Sequence, residues 1–322
     1  MFDFTLTVDD LDFVGKDLVR PECALCTSNG AVFVADGRGG IVRIAPDGSQ
    51  QVFLATDRKV MPNGIALQAD GSFLMADLGP GTGGVIRLRR DGTTEGVLTE
   101  IDGAPLPPSN YVLADAKGRI WLTVSTRLNP RYLGYRMSCD DGFIVLLDDK
   151  GPRIVADGLG FTNEVQTDPS GDWLYVNETF SRRLSRLRIG DDGSLGPRET
   201  VAEFGHGVYP DGLSFDCEGG VWITSVISNR IIRVDTDGSQ HVVIEDGDPD
   251  YTDEVEKAFL ADQMDRPHLE NVPSPTLRNV SSVAFGGNDL KTIVVGNLLG
   301  DRLATFRSPV AGLEQAHWSF DI

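Results

Sequence analysis

The stretch Tyr209 to Trp222, YPDGLSFDCEGGVW, sets the reading of the whole chain. A Pro, an acid and a Gly lead into a short apolar run, an Asp-x-x-Gly turn follows, and a second apolar run begins. The phrase returns as MPNGIALQADGSFL around Asn63, SNYVLADAKGRIW around Asn110 and TNEVQTDPSGDWL around Asn163, with weaker copies around Glu22 and Ser281. In each copy an amide, carboxylate or hydroxyl side chain stands about ten or eleven residues ahead of the second apolar run. A residue type that tracks one place in every repeat points to a shared site.

Each copy opens a unit of about forty to fifty residues whose strands follow from alternation and turn chemistry. In the unit around Asp211, the spacing predicts strands over Gly212–Asp216, Val221–Val226, Arg230–Val234 and His241–Glu245, with Gly-containing turns between them. Four short antiparallel strands, repeated six times, predict an all-β fold: a six-bladed β-propeller around a central channel. The blades begin near Glu22, Asn63, Asn110, Asn163, Asp211 and Ser281, and residues 1–322 form a single domain. The segment Phe4–Val14 supplies the outer strand of the last blade and closes the ring, which removes the unpaired edges of an open stack. Two connections are long: residues 125–142 inside the third blade, and residues 246–279 between the fifth and sixth. The second is expected to carry a helix in which Asp253 and Glu256 form a capping box and Val255, Ala258 and Phe259 share a face. Both insertions open at the mouth where the phrase places its polar residues, as a pocket with a partial lid requires.

Composition narrows the partners. Against 48 Asp and Glu stand 29 Lys and Arg, a net charge of -19 spread along the chain, which repels phosphate backbones and anionic lipid. The reading is therefore no nucleic acid and no membrane, with a small molecule as partner and a monomer or homodimer as assembly. The N-terminus carries neither a basic region nor a continuous apolar core, and the four cysteines show no zinc or redox framework beyond Cys23-x-x-Cys26 at a strand start. A cytoplasmic, reduced protein is expected.

Glu22, Asn110, Asn163 and Asp211 project from four blades toward one axis. Two carboxylates and two amide carbonyls are hard oxygen donors, the set that suits Ca2+, Mg2+ or Mn2+; Zn2+ is a weaker match. Any one of them alone reads as a turn residue bonding its own backbone. Four at equivalent places would crowd bare carboxylates and amides into a narrow channel, a cost that one divalent metal ion removes. Asn63 lines the same channel. Arg127, Tyr132, Tyr135 and Arg136 in the first insertion are candidates to grip a substrate, Tyr209 flanks the mouth, and His206 in a Gly-rich loop reads as exposed.

These residues give the chain a resemblance to the SMP-30/gluconolactonase/LRE-like family of propeller hydrolases. It is carried by Phe161-Thr-Asn-Glu-Val with Leu174-Tyr-Val-Asn-Glu-Thr, by Tyr209-Pro-Asp-Gly-Leu with Gly220-Val-Trp-Ile-Thr, and by Ala284-Phe-Gly-Gly-Asn-Asp-Leu. The resemblance implies a metal-dependent lactonase in which Glu22, Asn163 and Asp211 hold the metal, Asn110 contacts metal or substrate, and Asp211 is the catalytic base. Asn63, Arg127, Tyr135 and Tyr209 join Asn110 as substrate-binding candidates. Pro108 and Tyr111 stand where sugar-lactone hydrolases of the family carry Arg and Asp, so the implied lactone is not necessarily a sugar lactone. The rival readings are a metal-dependent phosphoesterase, a strictosidine synthase-like lyase and a non-enzymatic binding propeller.

Overall fold

The innermost strands of the chain are its most buried. Val208–Phe215 and Val280–Gly286 have no exposed residue, whereas the outer strand Gln240–Glu245 is half open. A central strand is covered on both faces by neighbouring sheets, so its apolar run is continuous rather than alternating. The structure is a computed structural model that describes residues 2–81 and 83–322. Among these residues, six four-stranded antiparallel sheets form a ring. Their inner strands are Ala24–Cys26, Pro62–Leu67, Tyr111–Ala114, Thr162–Thr167, Val208–Phe215 and Val280–Gly286, each packed against the next and the last against the first. The six-bladed propeller predicted from the repeat is the observed fold.

Ring closure follows the expected route with a shorter strand. Asp12–Val14 pairs antiparallel with Leu303–Thr305 of the sixth blade, while Leu6 donates to the Val243 carbonyl on the outer edge of the fifth. The N-terminal segment therefore laces two blades together. At the far end of the channel the C-terminal segment lies across the opening. Leu313 donates to the Phe215 carbonyl and Ser28 to that of Trp318, and Gln315 and His317 line the channel below the site.

The insertions lie where the spacing put them. The first spans the gap between strands Ile120–Val124 and Gly142–Asp148 and contains a 3-10 turn over Arg131–Gly134. The second carries a helix over Pro249–Leu260 and a shorter one over Pro267–Glu270. The capping box expected from Asp253 and Glu256 is corrected: Asp248 is the N-cap, its carboxylate accepting from the Tyr251 amide, with Pro249 at the first helical position. Pro249 starts the helix one turn earlier than Asp253 would. This frees Glu256 to pair with Arg182 at 2.5 Å in the interior, and Arg182 also donates to the Tyr209 hydroxyl at 2.8 Å. Tyr135, Phe161, Phe180, Tyr209 and Phe259 stack edge-to-face or tilted, at centroid distances of 4.7–6.0 Å, which ties both insertions to blades four and five. Arg136 bonds the Met264 carbonyl at 2.5 Å, linking one insertion to the other.

Candidate functional site

Three inner strands break register at the same place. Opposite their second strands, pairing steps from Pro62 to Ile65, from Thr162 to Val165 and from Pro210 to Leu213 against one residue fewer on the partner. Each break is a β-bulge, a device that re-aims a side chain. The bulges hold Asn63, Asn163 and Asp211, so the phrase read as a turn ahead of the strand lies inside it. The residue after the re-aimed side chain is Gly64 in blade two and Gly212 in blade five. A Cβ at Gly64 would lie 2.4 Å from the Tyr111 ring, and one at Gly212 2.5 Å from the Ser281 carbonyl oxygen. Blade four has Glu164 at this position instead.

Hydroxyls on or just beyond the second strands fix the inner strands across blade boundaries. Ser125 donates to the Thr162 carbonyl, Thr179 to that of Pro210 and Thr224 to that of Ser281, each at 2.8 Å. In the first blade the Glu22 carbonyl accepts from Ser281 at 2.8 Å. At four of the six boundaries one small hydroxyl thus sets the height of the next inner strand in the channel.

Glu22, Asn63, Asn110, Asn163 and Asp211 line one cavity with Arg20, Arg131 and Tyr135. The Asn63 amide donates to Glu22 Oε1 at 2.8 Å and to Asn110 Oδ1 at 3.1 Å, and its own oxygen accepts from Arg20 at 2.7 Å. The Asn110 amide donates to Ser125 Oγ and that of Asn163 to Thr179 Oγ1, both at 3.0 Å. Turning the amide nitrogens outward leaves oxygens facing inward. Glu22 Oε2 and Asn163 Oδ1 are buried without any hydrogen-bond partner. Buried acceptors are rarely left so, and each carries a desolvation cost until something supplies a positive charge or a proton.

The electrostatics agree. Burial pushes the Glu22 carboxyl up to about 7, with Arg20 and Arg131 pulling against it. Burial and the Glu22 charge hold Asp211 well above the usual carboxylate range, again opposed by Arg131 and Arg20. Two carboxylates forced together in a dry site resist ionising both, and a cation relieves them. The donors suit such an ion: they are all oxygens, and those left unpaired belong to residues read as ligands. The described residues contain no cluster of three or more His, Cys, Asp or Glu, so amide oxygens would complete the set.

Four candidates lie elsewhere. Arg127 pairs with Asp157 at 2.8 Å outside the cavity and stacks over Phe143 at 4.2 Å, because an acid and a ring within reach hold it at the surface. Tyr209 is wholly buried in the aromatic layer behind the site, its hydroxyl committed to Arg182. Tyr132 and Arg136 do not line the cavity, and His206 is exposed beside Asp253. Three residues went unassigned in the sequence. Arg20 stands two positions before Glu22, and Arg131 lies in the insertion already singled out. Glu164 is buried in the channel below the donors, where Oε2 accepts from the Leu213 amide at 3.0 Å and Oε1 has no partner. Its signal was the Glu that replaces Gly in one copy of the phrase.

A propeller whose channel mouth gathers two carboxylates and three amides from five blades belongs to a class in which the ring is the scaffold and the inner strand ends carry the chemistry. The chain belongs to the SMP-30/gluconolactonase/LRE-like family, whose model matches residues 21–248. It is 28% identical over 156 residues to a 6-deoxy-6-sulfogluconolactonase of Pseudomonas putida, a match covering 48% of this chain and 42% of that protein. It is 24% identical over 240 residues to the pentonolactonase XacC of Haloferax volcanii, covering 74% of this chain and 67% of that one. The chain thus aligns with less than half the length of the first of these relatives. Among solved structures, a calcium-binding regucalcin of Agrobacterium tumefaciens superposes with a TM-score of 0.68 at 17% identity, over 100% of both chains, and shares the fold. No helix among the described residues is long and apolar enough to cross a membrane.

Proposed function

We propose that this protein is a divalent-metal-dependent lactonase that opens a lactone ring by addition of water. The observation that carries the reading is the pair of unpartnered buried oxygens, Glu22 Oε2 and Asn163 Oδ1, in one cavity with Asp211. Glu22, Asn163 and Asp211 would hold the ion and Asn110 would stand beside it, an all-oxygen set that favours Ca2+, Mg2+ or Mn2+ over Zn2+. The lactonase names of two relatives and the calcium-binding name of one structural neighbour support the same class.

The chemistry supplied by a bound divalent ion is Lewis acidity at the lactone carbonyl, where negative charge develops as water adds. Asp211 takes a proton from the attacking water or orients it. With a cation bound, Asp211 is relieved of the Glu22 repulsion that favours its protonated form, so it is ionised when it acts. Asn110, fixed by Ser125 and Asn63, lines the wall against which the substrate ring is placed. The two insertions exclude bulk water: Tyr135 comes from the first and Leu269 from the second. The cavity they cover measures about 50 Å³.

The test is proton release, followed with a pH indicator, from a panel of sugar, aliphatic and aromatic lactones. The protein is stripped with chelator and resupplied with calcium, manganese, magnesium or zinc. Acid release restored by metal on at least one lactone is expected. No release from any lactone under any metal overturns the reading, and turnover of phosphoesters in its place would move the reaction to phosphoryl transfer.

A further inference from the structure

The cavity holds more positive charge than its own acids need. Arg131 reaches in from the first insertion, its guanidinium 4.7 Å from the Phe161 ring centroid, with Nη2 donating to Ser125 Oγ at 2.9 Å. Its Nε is buried without a partner. Arg20 enters from the opposite side and bonds only neutral groups, the Asn63 side chain and the Pro62 carbonyl. Both arginines are half-buried, and among the described residues neither forms a salt bridge, whereas the two fully buried arginines do, Arg182 with Glu256 and Arg233 with Asp216. In a metal-free site the two guanidiniums balance Glu22 and Asp211 at a distance. A divalent ion on those carboxylates neutralises them, and both arginines are then left uncompensated. A positive surplus remains even if Glu164 beneath the site is counted as charged. Unpaired charge at a half-buried site, with the Arg131 Nε wholly buried, carries a desolvation cost that a ligand's counter-charge relieves.

A second observation lies outside the cavity. A groove of about 880 Å³ opens beside the mouth and shares Arg20 and Leu298 with the site. Lys16, Arg20, Arg278 and Arg302 line it against Asp17 and Asp301 only, and none of the four cations forms a salt bridge among the described residues. On a chain of net charge -19 a basic path that ends at the site is the reverse of the surrounding field, and it guides anions inward. The rest of the cavity wall is Tyr135, Phe161, Phe180, Val226, Leu269, Leu298 and Thr179, whose hydroxyl is already bonded to Pro210 and Asn163, so it offers few hydrogen bonds to a ring rich in hydroxyls.

We infer that the substrate is an anionic lactone, a ring of few hydroxyls bearing a carboxylate or comparable anion, that travels the basic groove and is held at its anionic group by Arg131 with Arg20. The inference rests on the lactonase reading for the ring and on the arginines for the charge. Arg131 is a specificity residue in this scheme: it grips the substituent and leaves the carbonyl to the oxygen-donor site. Because it rides on the insertion that covers the cavity, the same contact draws that insertion shut over the correct substrate.

The experiment uses binding, so that turnover does not decide it. A cyclopentanone carboxylate, the hydrolysis-proof carbon analogue of a carboxylated γ-lactone, and its neutral methyl ester are titrated by calorimetry into the calcium-loaded protein. The carboxylate is expected to bind about 10- to 100-fold tighter than the ester, the range of a charge-assisted hydrogen-bonded pair. Its affinity should fall with added salt while that of the ester does not. Arg131→Gln should remove the preference and Arg131→Lys should keep part of it. If substitution at Arg131 unfolds the protein, the salt dependence in the unaltered chain and Arg20→Gln carry the same test. Equal binding of ester and carboxylate, or no binding of either, overturns the inference. Hydrolysis of neutral lactones alongside equal binding would leave the lactonase reading standing without it. A carboxylate preference in a protein that hydrolyses nothing would sink the lactonase reading and keep the anion site.

Discussion

Two buried acids on opposite sides of the ring, in blades one and four, meet opposite fates. Glu178, at the end of strand Trp173–Glu178, has a fully buried side chain that accepts from Arg183, Ser185, Arg198 and the Gly160 amide. Burial works to raise its carboxyl, yet these donors bring it below the ordinary value. Glu22 is as deeply buried but keeps one oxygen bare and is raised to about 7. Both sit at the mouth end of a blade, so depth does not separate them. Completeness does: a carboxylate whose every lone pair is answered by the protein fastens loops together, and one left half answered has capacity for something the protein does not contain.

The contrast is broken or sharpened by four substitutions. Asp211→Asn is expected to lower turnover by a factor on the order of 10³. It should also raise the stability of the chelator-treated protein by about 1 kcal/mol, because a buried carboxyl that resists ionising beside Glu22 gives way to a neutral amide. Denaturant titration of both forms in chelator checks the second point, and a near-normal rate would remove Asp211 from its role. Glu178→Gln should do the opposite, costing about 3 kcal/mol by stranding Arg183 while activity per folded molecule persists.

Acid should distinguish the two carboxylates as well. Glu178 has a lowered folded-state value, so the stability it contributes is present above about pH 4.5 and is lost as acid approaches that value. Glu22 has a raised one, so the native state keeps a proton that the unfolded chain has released. In chelator, stability then falls as pH rises from 4.5 toward 7. Glu22→Gln should flatten that slope, and melting curves across the interval read it directly. Arg127→Ala is expected to change least, within about 0.5 kcal/mol and with kcat and KM unaltered, since its ion pair with Asp157 is exposed.

The blades and the donor residues were legible because they repeat. Asn63, Asn163 and Asp211 stand at one place in copies of one phrase, and the same local chemistry gives the same bulge three times. What did not repeat was hidden. Arg127 and Arg131 are four residues apart in an insertion without periodicity, and sequence cannot say which long side chain finds an acid at the surface and which an aromatic ring in the channel. The helix start was misplaced for a related reason. Asp253 and Glu256 fit the local pattern, but Pro249 and Asp248 fit it one turn earlier, and the buried partner Arg182 was needed to show what Glu256 is for. Glu164 was hidden within its phrase, since its distinction is only that two sister blades have Gly there.

The pairing of Asp12 with Thr305 also dictates when this protein can exist as a ring. During synthesis the strand Asp12–Val14 leaves the ribosome early and has no partner until the strand Leu303–Arg307 follows. At ordinary translation rates of roughly 5–20 residues per second that wait lasts on the order of 15 to 60 s. Five blades can assemble meanwhile on local contacts, but Glu22 and Asp211 face each other across the channel only when the curve closes. The crowding of these two acids is thus postponed to the closing step of folding.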